Sequence, residues 1–211
     1  MTKTAIWYFD VVSPFAYLAL AEIERFAKER EILFRPIVFG AVLSHWGQLG
    51  PAEMPTKRLH TYRLCQFIAD RRGIAFRFPP KHPFNSLALL RLIAASGSRQ
   101  DVVRTVFDFV FREGRDAGEP GALAELCGRL DVADLEALVA AGDAKAVLRR
   151  NTEEAIAAGV FGVPTLMIEG ELFWGLDAMP FARAFAEDRS ILTGEMARLA
   201  SLPIGAERSR K

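Results

Sequence analysis

Hydrophobic and polar positions follow two different periods along the chain, and the places where the period changes outline the fold. Residues 5–9 form a compact apolar run rich in aromatic and β-branched side chains, which predicts a buried strand. Asp10-Val11-Val12-Ser13-Pro14 ends that run. Ser-Pro is a helix-start signal, with Ser13 as N-cap and Pro14 in the first helical position. Phe15, Leu18, Ala19, Ile23, Phe26 and Ala27 then recur at helical spacing, which predicts a helix over 14–30. Residues 32–39 predict a second strand, and Pro36 within it points to a sheet edge or a bulge. Strand, helix and strand in this order form a βαβ unit with a parallel pair.

From about residue 40 to 160 the pattern is almost wholly helical. A loop over 47–55 carries Gly47, Gly50, Pro51 and Pro55. A helix over 56–72 stops at Gly73, and 76–80 is extended. Asn85 or Ser86 caps a helix to Ser96, and Ser98 or Gln100 opens another to Glu113. Shorter amphipathic helices are predicted at 120–129, 133–141 and 143–158. Strand patterns then return at 165–168 and 172–174, joined by a tight turn as a hairpin, and Asp177 caps a last helix to about 187. The two ends of the chain must supply one sheet. The expected class is therefore α/β, with residues 1–40 and 160–190 in one domain, an inserted helical domain over 41–159, and a tail over 191–211.

Composition narrows the function. The 211 residues are 51% hydrophobic and 25% charged, ordinary for a globular protein. The net charge of +1 leaves no electrostatic footprint for nucleic acid or an anionic membrane. No stretch approaches the ~20 apolar residues of a spanning helix, and the N-terminal apolar run is too short for a signal peptide. A soluble, cytoplasmic protein is expected. Cys65 and Cys127 lie far apart, which excludes a disulfide scaffold and a Cys-x-x-Cys motif and predicts two buried thiols. His45, His60 and His82 share no metal-ligand spacing, so no metal is expected. By default Lys57, His60 and His82 are solvated.

Three places could carry chemistry. The βα junction at Ser13 is where α/β folds place ligands. A helix N-terminus there offers free N–H groups suited to an anion such as a thiolate. Ser13 could donate its hydroxyl to that anion or simply cap the helix. Gly159-Val160-Phe161-Gly162-Val163-Pro164-Thr165 is a turn before a strand and a candidate for a cis bond at Pro164. Phe173-Trp174-Gly175-Leu176-Asp177 ends in a residue that could cap a helix or hold a ligand.

Taken together these features describe a thioredoxin-type fold with a helical insertion. The chain resembles the DsbA-like superfamily, and within it the kappa-class glutathione transferases and 2-hydroxychromene-2-carboxylate isomerases. The resemblance rests on residues 9–19, Pro55-Thr56-Lys57-Arg58, His82-Pro83-Phe84-Asn85-Ser86-Leu87, residues 159–165 and 173–177, in the family's order.

Where disulfide oxidoreductases of the superfamily hold Cys-Pro-x-Cys, this chain has Ser13-Pro14-Phe15-Ala16, which excludes dithiol redox chemistry. The resemblance implies that Ser13 faces the sulfur of a bound glutathione. It implies that the Val163 backbone pairs with the cysteinyl unit beside a cis Pro164. Trp174, Gly175, Leu176 and Asp177 match the loop that takes the γ-glutamyl end, and Lys57 matches a lysine that meets a carboxylate. Phe15, Trp46 and Trp174 are candidates to line an aromatic pocket.

The implied function is a glutathione-dependent isomerase of the 2-hydroxychromene-2-carboxylate type. It would use reversible thiolate addition to let a conjugated double bond of an aromatic pyruvate rotate. A kappa-like transferase and a non-catalytic thioredoxin-fold binding protein are the alternatives. A small aromatic substrate and a homodimer are the expected partners, with no nucleic acid and no membrane. Two positions depart from the family pattern. The loop over 47–55 lacks the family's Asn, and Ala178 rather than Arg follows Asp177.

Overall fold

A computed structural model describes residues 4–132 and 142–206. The strands β1 (Ala5–Phe9), β2 (Ile32–Pro36), β3 (Thr165–Ile168) and β4 (Glu171–Trp174) form one sheet in the order β2-β1-β3-β4. β1 and β2 pair in parallel from Ala5↔Ile32 to Phe9↔Pro36. β3 runs antiparallel to both β1 and β4. This is the α/β, thioredoxin-like arrangement expected from the sequence, with β2 at an edge where Pro36 removes no ladder donor.

Around the sheet lie α1 (Pro14–Phe26), α2 (Phe39–His45), α3 (Pro55–Arg72), α4 (Leu87–Ala95), α5 (Gln100–Phe107), α6 (Ala122–Arg129), α7 (Gly142–Ala157), α8 (Met179–Glu187) and α9 (Glu195–Leu199). A helix expected at 133–141 lies outside the described residues.

Several boundaries differ from the sequence pattern for local physical reasons. β2 stops at Pro36, and Phe39 starts α2 instead of ending the strand. α2 has no side-chain cap of its own. Its first amide, Phe39 N–H, donates to the carboxylate of Asp10, 3.0 Å away on the loop after β1. An acceptor remote in sequence thus does the work of a local cap. α1 ends at Phe26, and 27–30 form turns instead of a further helical turn. The helix beginning at Gln100 widens into a π-helical turn over Asp108–Arg112. The last helix in the sequence pattern begins at Met179 with Ala178 as its N-cap, so Asp177 does not cap it. It is also not the last, since α9 follows it.

The core is continuous between the sheet and the intervening helices. Trp7 and Phe9 of β1 stack with ring centroids 4.5 Å apart. Phe107, from the end of α5, packs 6.1 Å from Trp7 and 5.7 Å from Phe9. All three side chains are fully buried. On the opposite face Tyr8, Ile37 and Val42 meet Ala155 of α7 together with Val160 and Val163. Cys65 and Cys127 are buried free thiols, and burial pushes Cys65 up to about 12. Among the described residues no helix is long and apolar enough to cross a membrane, and no cluster of side chains could hold a metal ion.

A core shared by the sheet and the intervening helices predicts one unfolding unit. Phe107→Ala is expected to lower the unfolding free energy by about 3–5 kcal/mol. Leu49→Ala, at a side chain 64% exposed, should change it by less than about 0.5 kcal/mol. Denaturant titration followed by circular dichroism and by tryptophan fluorescence should give one coincident transition in each protein. Separate transitions would mean that the helical segment folds independently.

Candidate active site

Strand direction brings three loops to one end of the sheet. β1 leaves there into the Ser13 loop, β3 enters there from Pro164, and β4 exits there into Gly175. The register Tyr8↔Thr165 and Thr165↔Trp174 sets these loops side by side. Neighbouring strands lie roughly 5 Å apart, so the three loops fall within about 10 Å across the sheet.

Ser13 is the N-cap of α1 in an extended conformation, with φ −87° and ψ 113°. Its Oγ accepts from Ala16 N–H at 3.3 Å. Among the described residues its own proton has no acceptor, and the side chain is 7% exposed. Pro14 at the first helical position has no N–H, so Phe15 supplies the first free amide of the helix. The Phe15 ring is half-buried against the core. Capping by Ser13 does not preclude donation, because a hydroxyl accepts and donates at once.

The Val163–Pro164 peptide bond is cis. Among the described residues the N–H and C=O of Val163 make no hydrogen bond, although the residue is only 7% exposed. Most backbone groups in buried residues are paired, so an open pair at a sheet end is a candidate ligand contact. Its neighbours are fixed. Pro164 C=O accepts from Gly175 N–H at 2.8 Å, and Gly162 C=O accepts from the Thr165 hydroxyl at 2.8 Å.

The Gly175 loop closes against the same turn. The Trp174 indole lies so close over Gly162 that a Cβ there would sit 2.3 Å from Nε1. Trp174 is 52% exposed and meets Phe161 edge-on at 5.1 Å. Gly175 has φ +91°, and a Cβ on it would lie 2.5 Å from Asp177 Oδ1. Gly162 is therefore required by close approach and Gly175 by its positive φ. Leu176 is buried, whereas Asp177 is exposed and, among the described residues, has no hydrogen-bond or ion-pair partner.

Trp46 and Lys57 come from the intervening segment. The Trp46 indole N–H donates to Val160 C=O at 2.9 Å, tying α2 to the turn before Pro164 and leaving the ring 40% exposed. Lys57 lies in the first turn of α3 and is exposed, as expected. It precedes Tyr62 by under one and a half helical turns, and Tyr62 contacts the Ser13 loop through His82.

Sequence reasoning missed the residues that hold these loops. Asp10 looked like the end of a strand. Its side chain is 2% exposed and accepts from Val12 N–H and Phe39 N–H, each at 3.0 Å. Burial pushes its carboxyl up, against these two amides and the nearby Ser86 hydroxyl. His82 is not a solvated histidine. Its Nε2 lies 2.7 Å from Val12 C=O and its Nδ1 2.7 Å from the Tyr62 hydroxyl, and burial pulls it below the usual imidazole range. A carboxylate closing an apolar strand was a usable signal for Asp10. Nothing local marked His82.

The comparisons with known proteins come to the same place. The DSBA-like thioredoxin domain family matches residues 4–185. Glutathione S-transferase kappa 2 of Caenorhabditis elegans is 30% identical over 182 residues, covering 79% of this chain and 81% of the relative. The 2-hydroxychromene-2-carboxylate isomerase of Sphingobium xenophagum is 27% identical over 197 residues, covering 89% of this chain and 100% of the relative. A solved 2-hydroxychromene-2-carboxylate isomerase superposes with a TM-score of 0.75 at 25% identity, over 93% of this chain and 98% of that one. The sheet order, the cis proline beside a βα junction and these matches agree, and the chain belongs to the DSBA-like thioredoxin-domain family, among relatives named as kappa-class glutathione transferases and 2-hydroxychromene-2-carboxylate isomerases.

Proposed function

We propose that the protein is a glutathione-dependent isomerase of the 2-hydroxychromene-2-carboxylate type, acting on a small aromatic substrate with a conjugated side chain. The observation that carries this reading is the N–H and C=O of Val163, unpartnered among the described residues and set beside the cis proline and the N-terminus of α1. An extended peptide with a central thiol fits an open backbone pair next to a hydroxyl donor and free helix amides. Bound glutathione would supply a thiolate nucleophile, which adds to the conjugated double bond and leaves again after rotation, with no net consumption.

The chain's own residues bind and orient. Val163 would pair with the cysteinyl backbone, held in place by Pro164. Ser13 and the Phe15 amide would donate to the sulfur and favour its ionised form. Asp177, without a partner among the described residues, would take the γ-glutamyl ammonium, with Leu176 backbone, Gly175 and Trp174 framing it. Lys57 would meet a carboxylate, and Phe15, Trp46 and Trp174 would line the aromatic face. The protein's own thiols do not serve, since both are buried. A homodimer and a cytoplasmic location belong to the same reading, and the exposed Leu59, Leu64 and Phe67 of α3 give a second copy an apolar surface.

A kappa-like transferase is the second reading, favoured by the 30% identity to the kappa 2 protein. Ultraviolet spectra of the chromene substrate, with and without glutathione, separate the two. The isomerase leaves total glutathione unchanged, whereas the transferase consumes one glutathione per product. In either case Ser13→Ala should lower turnover by roughly 10²-fold or more with the fold intact. Full turnover in that variant would make Ser13 a cap only.

Asp177→Asn is expected to keep the melting temperature, since Asp177 caps no helix and pairs with nothing described. Loss of its charge should weaken glutathione binding by ~2 kcal/mol or more, about 30-fold. Equal affinities by calorimetry would remove Asp177 from the site.

A thiol-specific reagent should leave Cys65 and Cys127 unmodified in the folded protein at neutral pH and modify both after denaturation. Rapid native labelling would reopen a role for the protein's own thiols.

A further inference from the structure

One short segment of the intervening helices reaches back to the loop that carries Ser13. His82 contacts Val12 C=O across 70 positions of chain. The consequence for Ser13 is geometric. Val12 N–H is held by the Asp10 carboxylate at 3.0 Å, Val12 C=O by His82 at 2.7 Å, and Ser13 N–H by Asp10 C=O at 3.0 Å. The peptide unit joining Val12 to Ser13 is thus fixed at both its oxygen and its nitrogen. The side chain of Ser13 has only a 3.3 Å contact with Ala16 N–H, a long bond for a positioning role. The place of Oγ is therefore set by the backbone, and the backbone is set by Asp10 and His82.

We infer that His82 is a positioning residue for Ser13, acting through the Val12 carbonyl and kept in the required tautomer by Tyr62. The inference rests on the proposed role of Ser13 toward a thiolate. A carbonyl oxygen only accepts, so His82 Nε2 must carry a proton to bond Val12. In the neutral ring Nδ1 is then an acceptor, and the Tyr62 hydroxyl stands 2.7 Å from it. The same hydroxyl lies 2.7 Å from His82 C=O, so its single proton is shared between two acceptors, the ring nitrogen and the histidine's own carbonyl. Phe78, Phe84 and Phe111 surround the ring with centroids 5.4, 6.1 and 6.2 Å away, which limits its rotation.

A pair of polar variants that differ in reach tests this. His82→Gln keeps an N–H donor near the position of Nε2. His82→Asn ends one methylene short and leaves Val12 C=O without its partner. Two readouts are needed. The first is the amide ¹⁵N resonance of Ser13 in the ligand-free protein, which responds to hydrogen bonding at the preceding carbonyl. The second is the thiolate absorbance of glutathione added to saturation at neutral pH, with binding followed by calorimetry.

In His82→Asn the Ser13 resonance should move and the thiolate band should be lost while glutathione still binds. In His82→Gln both should return close to wild type. Where an activity assay is in hand, turnover in His82→Asn should fall by roughly 10- to 100-fold, the cost of a misplacement near 1 Å. An unmoved Ser13 resonance in His82→Asn, or equal impairment of both variants, would overturn the inference and leave His82 as a packing residue. If the wild type itself shows no thiolate band, the glutathione reading fails. The Ser13 resonance then decides alone whether His82 holds the loop.

Discussion

The buried carboxylate of Asp10 is the interaction on which the site end of the fold depends. It sits where β1 ends, with almost no exposure, and must find donors because an unpaired buried carboxyl is costly. It finds them in two directions: Val12 N–H on its own loop and Phe39 N–H at the start of α2. One side chain therefore fixes how the first strand leaves the sheet and where the chain turns after the second. Ser13 lies three residues beyond it and inherits that fixed geometry.

The rest of the site is built largely from backbone. The open N–H and C=O of Val163, the first free amide of α1 and the Gly175 loop are main-chain features, held in register by β1, β3 and β4. A scaffold of this kind keeps its shape when side chains at its rim change. Ser13-Pro14-Phe15-Ala16 stands where redox relatives carry Cys-Pro-x-Cys, yet the junction and the cis proline beside it are present. What the exchange removes is the protein's own nucleophile, because Cys65 and Cys127 lie in the core with thiols that burial keeps protonated. The chain has no disulfide of its own to cycle, and under the proposed function the nucleophile is a thiol brought by a ligand.

Local order was legible in the sequence wherever period and punctuation agree. The apolar run at 5–9, the Ser13-Pro14 start, the stop of α3 at Gly73 and the hairpin around Glu169-Gly170 follow from short-range rules, and the structure has each of them. The misjudged boundaries are those settled by distant partners. Phe39 continues an apolar run and would extend β2, but Asp10 takes its amide and starts a helix. Asp177 is a good cap by residue type, but Ala178 takes the cap position and the Asp177 side chain turns toward Gly175.

The candidate site divides along the same line. Ser13, the turn at Pro164 and the loop ending at Asp177 each announce themselves locally, because a helix start, a proline before a strand and a glycine turn are sequence signals. Their convergence is a property of strand register, which pairs Tyr8 with Thr165 and Thr165 with Trp174 and so brings residues 13, 164 and 175 to one edge. Nothing short-range names the partner that Asp10, Tyr62 or His82 takes. Each is an ordinary polar residue until folding removes it from water and obliges it to bond whatever main-chain group lies opposite. The sequence by itself determined which segments coil, extend and turn, since those choices are decided within a few residues. Tertiary structure decided which buried polar groups meet, since that depends on contacts across 70 positions of chain and more.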